Sequence, residues 1–169
     1  MATSKPKIVQ PSYAWRTGLT KRKRTRYVVV HHSATKSPTS ALQIHKMHQG
    51  KGWAGIGYHY YIRTDGTIEA GRPDDTVGAH CYGHNNESIG ICFEGYFKGD
   101  YPNDKQSKSF LALCNYLKGI YGALPVLGHR DLMATECPGF STKQYVVNIV
   151  KEENKCKSSA TTARKSSKS

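Results

Sequence analysis

Residues 27–32 read YVVVHH. Three consecutive β-branched residues without polar alternation mark a strand covered on both faces, as in the sheets of α/β proteins; a strand with one wet face alternates instead. Helices are therefore expected on both sides of it. Downstream, Ser37-Pro38 reads as a helix cap with proline at the first helical position, opening a helix that runs to about Gln49 and stops before Gly50 and Gly52. Two strand-like runs, Tyr58 to Arg63 and Thr67 to Ala70, flank Thr64-Asp65-Gly66 and predict a hairpin. Ile89 to Glu94 is a further strand. Between Asn103 and Tyr121 the apolar residues Phe110, Leu113, Cys114, Leu117, Ile120 and Tyr121 recur every three or four positions, which predicts a long amphipathic helix capped by Asn103 or Asp104. A short strand at Val126 to Gly128 and a closing helix from Ser141 to about Glu153 complete the pattern. The expected fold is α/β, with a single mixed central β-sheet flanked by helices.

The chain has 169 residues, enough for one domain with tails. No apolar stretch approaches the roughly 18 residues that a membrane span requires. The net charge of +13 invites a nucleic-acid reading, but it is unevenly placed. Residues 1–26 hold eight basic and no acidic residues, whereas residues 27–150 hold eleven basic and ten acidic. A folded nucleic-acid reader concentrates its cations on a structured face, so a nearly neutral middle argues against a specific nucleic-acid partner. Three segments are expected: a basic N-terminal segment (1–26) partly packed on the core, a folded domain (27–153), and a disordered basic Ser/Thr/Lys tail (154–169). The run Lys21 to Arg26 reads either as a solvated arm or as a contact for anionic polymers. The five cysteines form an odd set without CxxC spacing, which argues against a disulfide framework and for synthesis in a reducing compartment. The N-terminus lacks the apolar region of a secretory signal, so a protein made in the cytoplasm is expected.

Chemistry is suggested by the histidines, of which there are eight. His31 ends the buried strand, where side chains commonly meet a site, and His129 ends the later short strand. Cys137 follows in a loop closed by Pro138-Gly139. Two imidazoles and one thiolate suit zinc and leave a fourth tetrahedral position for water. Spacing alone leaves this triplet one choice among many, because strand histidines are commonly hydrogen-bonded core residues and a lone buried cysteine is commonly a small hydrophobe.

Read together and in order, five segments resemble the family of type-2 N-acetylmuramoyl-L-alanine amidases and peptidoglycan recognition proteins, including phage lysozymes of the amidase type. They are IVQPSYAWR (8–16), YVVVHHSAT (27–35), GWAGIGYHYYIRTDGTIEAGR (52–72), VGAHCYGHNNESIGICFEG (77–95) and LGHRDLMATECPG (127–139). The resemblance implies that His31, His129 and Cys137 hold one Zn2+ ion. It implies that Tyr58 places its hydroxyl near the metal-bound water and the developing oxyanion, and that Thr135 stands where phage-type members carry lysine and recognition proteins carry threonine. His48, His80, Tyr82 and Asn85 match positions that line a glycopeptide groove. Cys92 occupies a strand position where some relatives carry a glutamate, with Glu94 a possible substitute base on the same face. Asp131 is expected to orient His129 or cap a turn, and His32, His45, His59 and His84 to be structural.

The implied activity is zinc-dependent hydrolysis of the amide between N-acetylmuramic acid and L-alanine, in a phage or prophage endolysin, or alternatively a bacterial autolysin or recycling enzyme, acting as a monomer on peptidoglycan. Basic tails would hold it to anionic wall polymers. The alternative is a recognition module that binds peptidoglycan without cutting it. Non-cutting members commonly lack the cysteine ligand, which is present here, and the enzyme is therefore preferred. The cysteine pair that secreted animal members carry after the HH motif is absent, since residues 33–52 contain none.

Overall fold

The structure, a computed structural model, describes residues 4–166. In chain order the elements are β1 (Ile8–Val9), β2 (Tyr27–His32), α1 (Ala41–Gly50), β3 (Tyr60–Ile62), β4 (Ile68–Ala70), β5 (Ser88–Phe93), α2 (Asp104–Tyr121), β6 (Val126–Gly128), α3 (His129–Leu132) and α4 (Thr142–Ser166). The strands form one sheet in the order β1-β4-β3-β5-β2-β6. Among the described strands the β3–β4 hairpin pairs antiparallel and the other neighbours pair parallel, so the sheet is mixed as expected. β2, the YVVVHH strand, lies between β5 and β6.

Alternation along β2 and β5 divides the core. Val28, Val30, Ile89, Ile91 and Phe93 pack with Phe110, Leu113 and Leu117 of α2 and with Phe140, Tyr145 and Ile149. On the opposite face, Cys92 and Tyr61 pack with Ala41 and Ile44 of α1 and with Ile56. The fully covered β2 is thus explained by helices on both sides, each burying one apolar stripe.

Helix α1 starts later than expected. Its N-cap is Ser40, whose side chain accepts from Gln43 N–H in a reciprocal capping box. Thr39 N–H donates to Glu94 Oε1 (2.6 Å) and Ala41 N–H to Glu69 Oε2 (2.8 Å). These two buried carboxylates hold the chain just before the helix, and Pro38 is left outside it. In α2 the cap is Asn103, again with a capping box, through Gln106.

The basic N-terminal run is largely tied down. β1 pairs with β4, and Tyr13 and Trp15 pack against the α1-side cluster. The Arg22 guanidinium donates to the carbonyls of Asp74 and Thr76 and to Thr25 Oγ1, and sits 5.8 Å from the Tyr121 ring centre. Lys21 pairs with Asp75, and Arg26 with Glu87 at 3.1 Å. Of the two readings of this run, a free solvated arm is therefore the one corrected. Residues 1–3 of the N-terminal segment lie outside the described residues.

The expectation of a disordered tail is also corrected over residues 154–166, which continue α4. Every residue from Asn154 to Lys165 is exposed, so no core holds this extension. Tyr145 and Ile149 anchor the first half of α4 in the core, and elongating an established helix is far less costly than nucleating one. The extension contains neither Gly nor Pro. The hydroxyls of Ser158, Ser159, Thr161 and Thr162 donate back to carbonyls three or four residues earlier, and Lys157 pairs with Glu153 at 2.9 Å. Residues 167–169 of the expected tail lie outside the described residues.

Candidate active site

Sheet register assembles the site. His31 is paired with Cys92 across β2 and β5, and Cys92 with Tyr61 across β5 and β3. β6 ends at Gly128, opposite Val30, so the next residue, His129, emerges beside His31. The two imidazole centres are 4.6 Å apart. The Asp131 carboxylate accepts Gly128 N–H (2.7 Å) and so caps the single turn of α3 that carries His129. Arg130 N–H donates to the carbonyl of Cys137 (2.8 Å), which folds the 133–139 loop back onto that turn.

His31, His129 and Cys137 each direct one donor atom to a common point, all three within 4.8 Å of one another. Cys137 Sγ lies 3.7 Å from His31 Nδ1 and accepts the backbone N–H of His32 at 3.4 Å. Burial holds both His31 and His129 below the ordinary histidine range, so both rings are neutral and able to donate a lone pair. Burial pushes the Cys137 thiol up to about 11, with the His32 N–H opposing the rise. A cation at the common point would favour the thiolate, and the mixed N, N, S donor set fits a borderline-soft divalent ion such as zinc.

Tyr58, half-buried, places its ring 5.1 Å from that of His31 and 5.4 Å from that of His48. Burial, with Cys92 alongside, raises its pKa well above the ordinary range, so the phenol keeps its proton. Thr135 Oγ1 accepts Cys137 N–H at 3.3 Å. His48 is buried, its Nδ1 accepts Gly57 N–H, and its ring lies against the exposed Trp53. Tyr82 is 85 % exposed.

Two of the expected groove residues are placed differently. His80 is buried behind His31, its Nδ1 2.9 Å from His31 Nε2. Asn85 Oδ1 accepts the backbone N–H groups of His80 (2.8 Å) and Cys81 (3.0 Å), so it shapes the 80–85 loop from within. Sequence reasoning missed this inner role of His80, which no local pattern announces. Glu94, considered as a base, is committed elsewhere: its carboxylate accepts from Thr39, Thr64 and Arg63. Cys92 is fully buried, and burial drives its thiol well up, so it carries no base function. His45 and His59 are structural as expected, with Nδ1 atoms accepting Ile56 and Gly90 N–H.

A neutral two-imidazole, one-sulfur group at the carboxyl edge of a mixed α/β sheet, with a protonated phenol beside it, is the apparatus of an amide-cleaving hydrolase. The chain belongs to the N-acetylmuramoyl-L-alanine amidase family, whose model matches residues 21–140 and so contains all three donors. It is 36% identical over 134 residues to an endolysin of Enterobacteria phage K11, covering 75% of this chain and 89% of that protein. Peptidoglycan-recognition protein LB of Drosophila melanogaster is 32% identical over 127 residues, covering 67% of this chain and 54% of that one. Among solved structures, the endolysin amidase LysCS from Clostridium intestinale URNW superposes with a TM-score of 0.81 at 38% identity, covering 87% of this chain and 97% of that chain.

Proposed function

We propose that this chain is the lytic amidase of a phage or prophage, hydrolysing the bond between N-acetylmuramic acid and L-alanine with one zinc ion held by His31, His129 and Cys137. The convergence of those three donors carries the reading. Bound zinc supplies Lewis acidity and makes a water nucleophile available near neutral pH. The chain's own hydroxyls serve the developing oxyanion. The Tyr58 hydroxyl, kept protonated, donates to the carbonyl oxygen as negative charge develops there. Thr135, oriented through Cys137 N–H, offers a second, uncharged donor. The exposed Tyr82 stands where a sugar or peptide can reach it, whereas His48, 7% exposed and with its Nδ1 taken by Gly57 N–H, lies beneath that surface.

Similarity to phage endolysins supports synthesis in a host cytoplasm followed by action on the wall. Among the described residues no helix is long and apolar enough to cross a membrane. The test is zinc content of the purified protein together with mass spectrometry of digested peptidoglycan. Free stem peptides beside intact glycan strands are expected; cleaved glycan, or no release at all, would overturn the assignment.

Two predictions arise here. Tyr58→Phe should lower kcat by about 10²-fold, the scale lost with one oxyanion donor, while zinc content stays unchanged. Loss of zinc in that variant would assign the tyrosine to metal binding instead. Removing residues 157–169, which include exposed Lys157 and Lys165, should weaken sedimentation with anionic cell walls at low salt and have no effect at high salt. Equal binding at low salt would show that the tail is not a wall contact.

A further inference from the structure

We propose that His80 is a positioning residue for the metal centre: it sets which nitrogen of His31 carries the proton and thereby leaves Nδ1 bare toward Cys137 and His129. The inference rests on the metal reading above and deepens it. It follows from a chain of hydrogen bonds with one fixed end.

Ser88 Oγ lies 2.7 Å from the carbonyl oxygen of His84 and 3.3 Å from His80 Nε2. A carbonyl can only accept, so the single hydroxyl proton goes to the shorter contact with His84. Toward His80, Ser88 then offers only acceptors, its Oγ and its backbone, which places the His80 proton on Nε2. In a neutral ring this leaves His80 Nδ1 as an acceptor, facing His31 Nε2 at 2.9 Å. His31 therefore carries its proton on Nε2 and donates it to His80. The remaining nitrogen, Nδ1, is the one that faces Cys137 Sγ. Proton order thus runs from a backbone carbonyl, through Ser88 and His80, to the lone pair offered to the ion, an arrangement in which outer partners fix a ligand's tautomer and angle.

The slot around His80 is built for its ring. A Cβ at Gly90 would stand 2.6 Å from His80 Cγ, and one at Gly78 2.5 Å from Cδ2, so either added methyl would collide with the imidazole. Asn85 grips the backbone of His80 and Cys81 from the other side. The ring is 8% exposed, which suits a partner of His31 and leaves little surface for substrate.

The test compares wild type, His80→Leu, His80→Asn and Ser88→Ala, each zinc-loaded, in competition with a chromogenic chelator. His80→Leu removes the acceptor and should weaken zinc by about 10–100-fold, the usual cost of losing an outer-shell partner. In His80→Asn the side-chain oxygen can occupy the place of Nδ1, and affinity should return most of the way to wild type. Ser88→Ala, which deletes one oxygen, should weaken zinc measurably and keeps the test alive if His80→Leu does not fold. Equal affinity in wild type and His80→Leu, His80→Asn as weak as His80→Leu, or unchanged affinity in Ser88→Ala would each overturn the proposal. Wild type that takes no zinc would instead overturn the metal reading. Histidine-labelled wild type then still reports the proton order by long-range 1H–15N NMR: a proton on His31 Nε2 is expected, and one on Nδ1 would overturn it.

Discussion

Cys137→Ser should yield a folded protein that has lost its zinc and, with it, amide cleavage by about 10³-fold or more, the scale expected when the main electrostatic element of a reaction is removed. Among the described residues the sulfur is one of three candidate donors within 4.8 Å of one another, and a serine hydroxyl is a poor ligand for a borderline-soft ion. Folding should survive because the large apolar cluster of Phe93, Phe110, Phe140 and Tyr145 lies on the other face of the sheet. The measurements are metal content, circular dichroism and release of stem peptides from purified walls. Retained activity would remove Cys137 from the site. Lost activity with zinc retained would assign the sulfur a role other than coordination. A pure recognition module would keep its affinity for muropeptides in this variant, which separates binder from enzyme.

Glu94→Ala should cost about 3 kcal/mol of stability while leaving the three donor residues in place, because it strands several buried or half-buried donors at once. The Glu94 carboxylate accepts Thr39 N–H and Thr64 N–H, each at 2.6 Å, Thr64 O–H at 3.0 Å and Arg63 Nε at 3.1 Å. It therefore fastens the lead-in to α1 and the β3–β4 turn to the end of β5. Burial alone would raise its pKa, but the Thr64 and Thr39 N–H groups and Arg63 outweigh burial and hold it below the ordinary range. A carboxylate with a depressed folded pKa contributes stability that is present above its unfolded pKa and is lost as pH falls through the folded one. Urea denaturation at neutral pH should show the full gap between wild type and variant, and the gap should narrow in strong acid. A difference under about 1 kcal/mol at neutral pH, no more than one ordinary hydrogen bond, would show that these contacts do not hold the loop.

The elements legible in the sequence were those whose pattern is local. YVVVHH, the Asp65-Gly66 turn and the three- and four-residue spacing in α2 each need only neighbouring residues to be read. The start of α1 was misplaced because Ser37-Pro38 and Ser40 both look like starts, and the choice was made by Glu94 and Glu69, far away in sequence. The helical extension beyond residue 153 was misread because Ser, Thr and Lys suggest disorder in isolation, whereas here they continue a helix already anchored at Tyr145 and Ile149. His80 and Asn85 looked like groove residues because a loop rich in Gly and Asn hides which side chains turn inward.

By itself the sequence determined the kind of sheet and the family, and through that resemblance singled out His31, His129 and Cys137 as candidate donors, since these depend on residue type and on order along the chain. Only the tertiary structure decided that His31 would stand in line with Cys92, that His129 would emerge beside it, and that His80 would lie behind it. Those are matters of strand register and loop closure, in which a shift of one residue turns a side chain to the opposite face of the sheet.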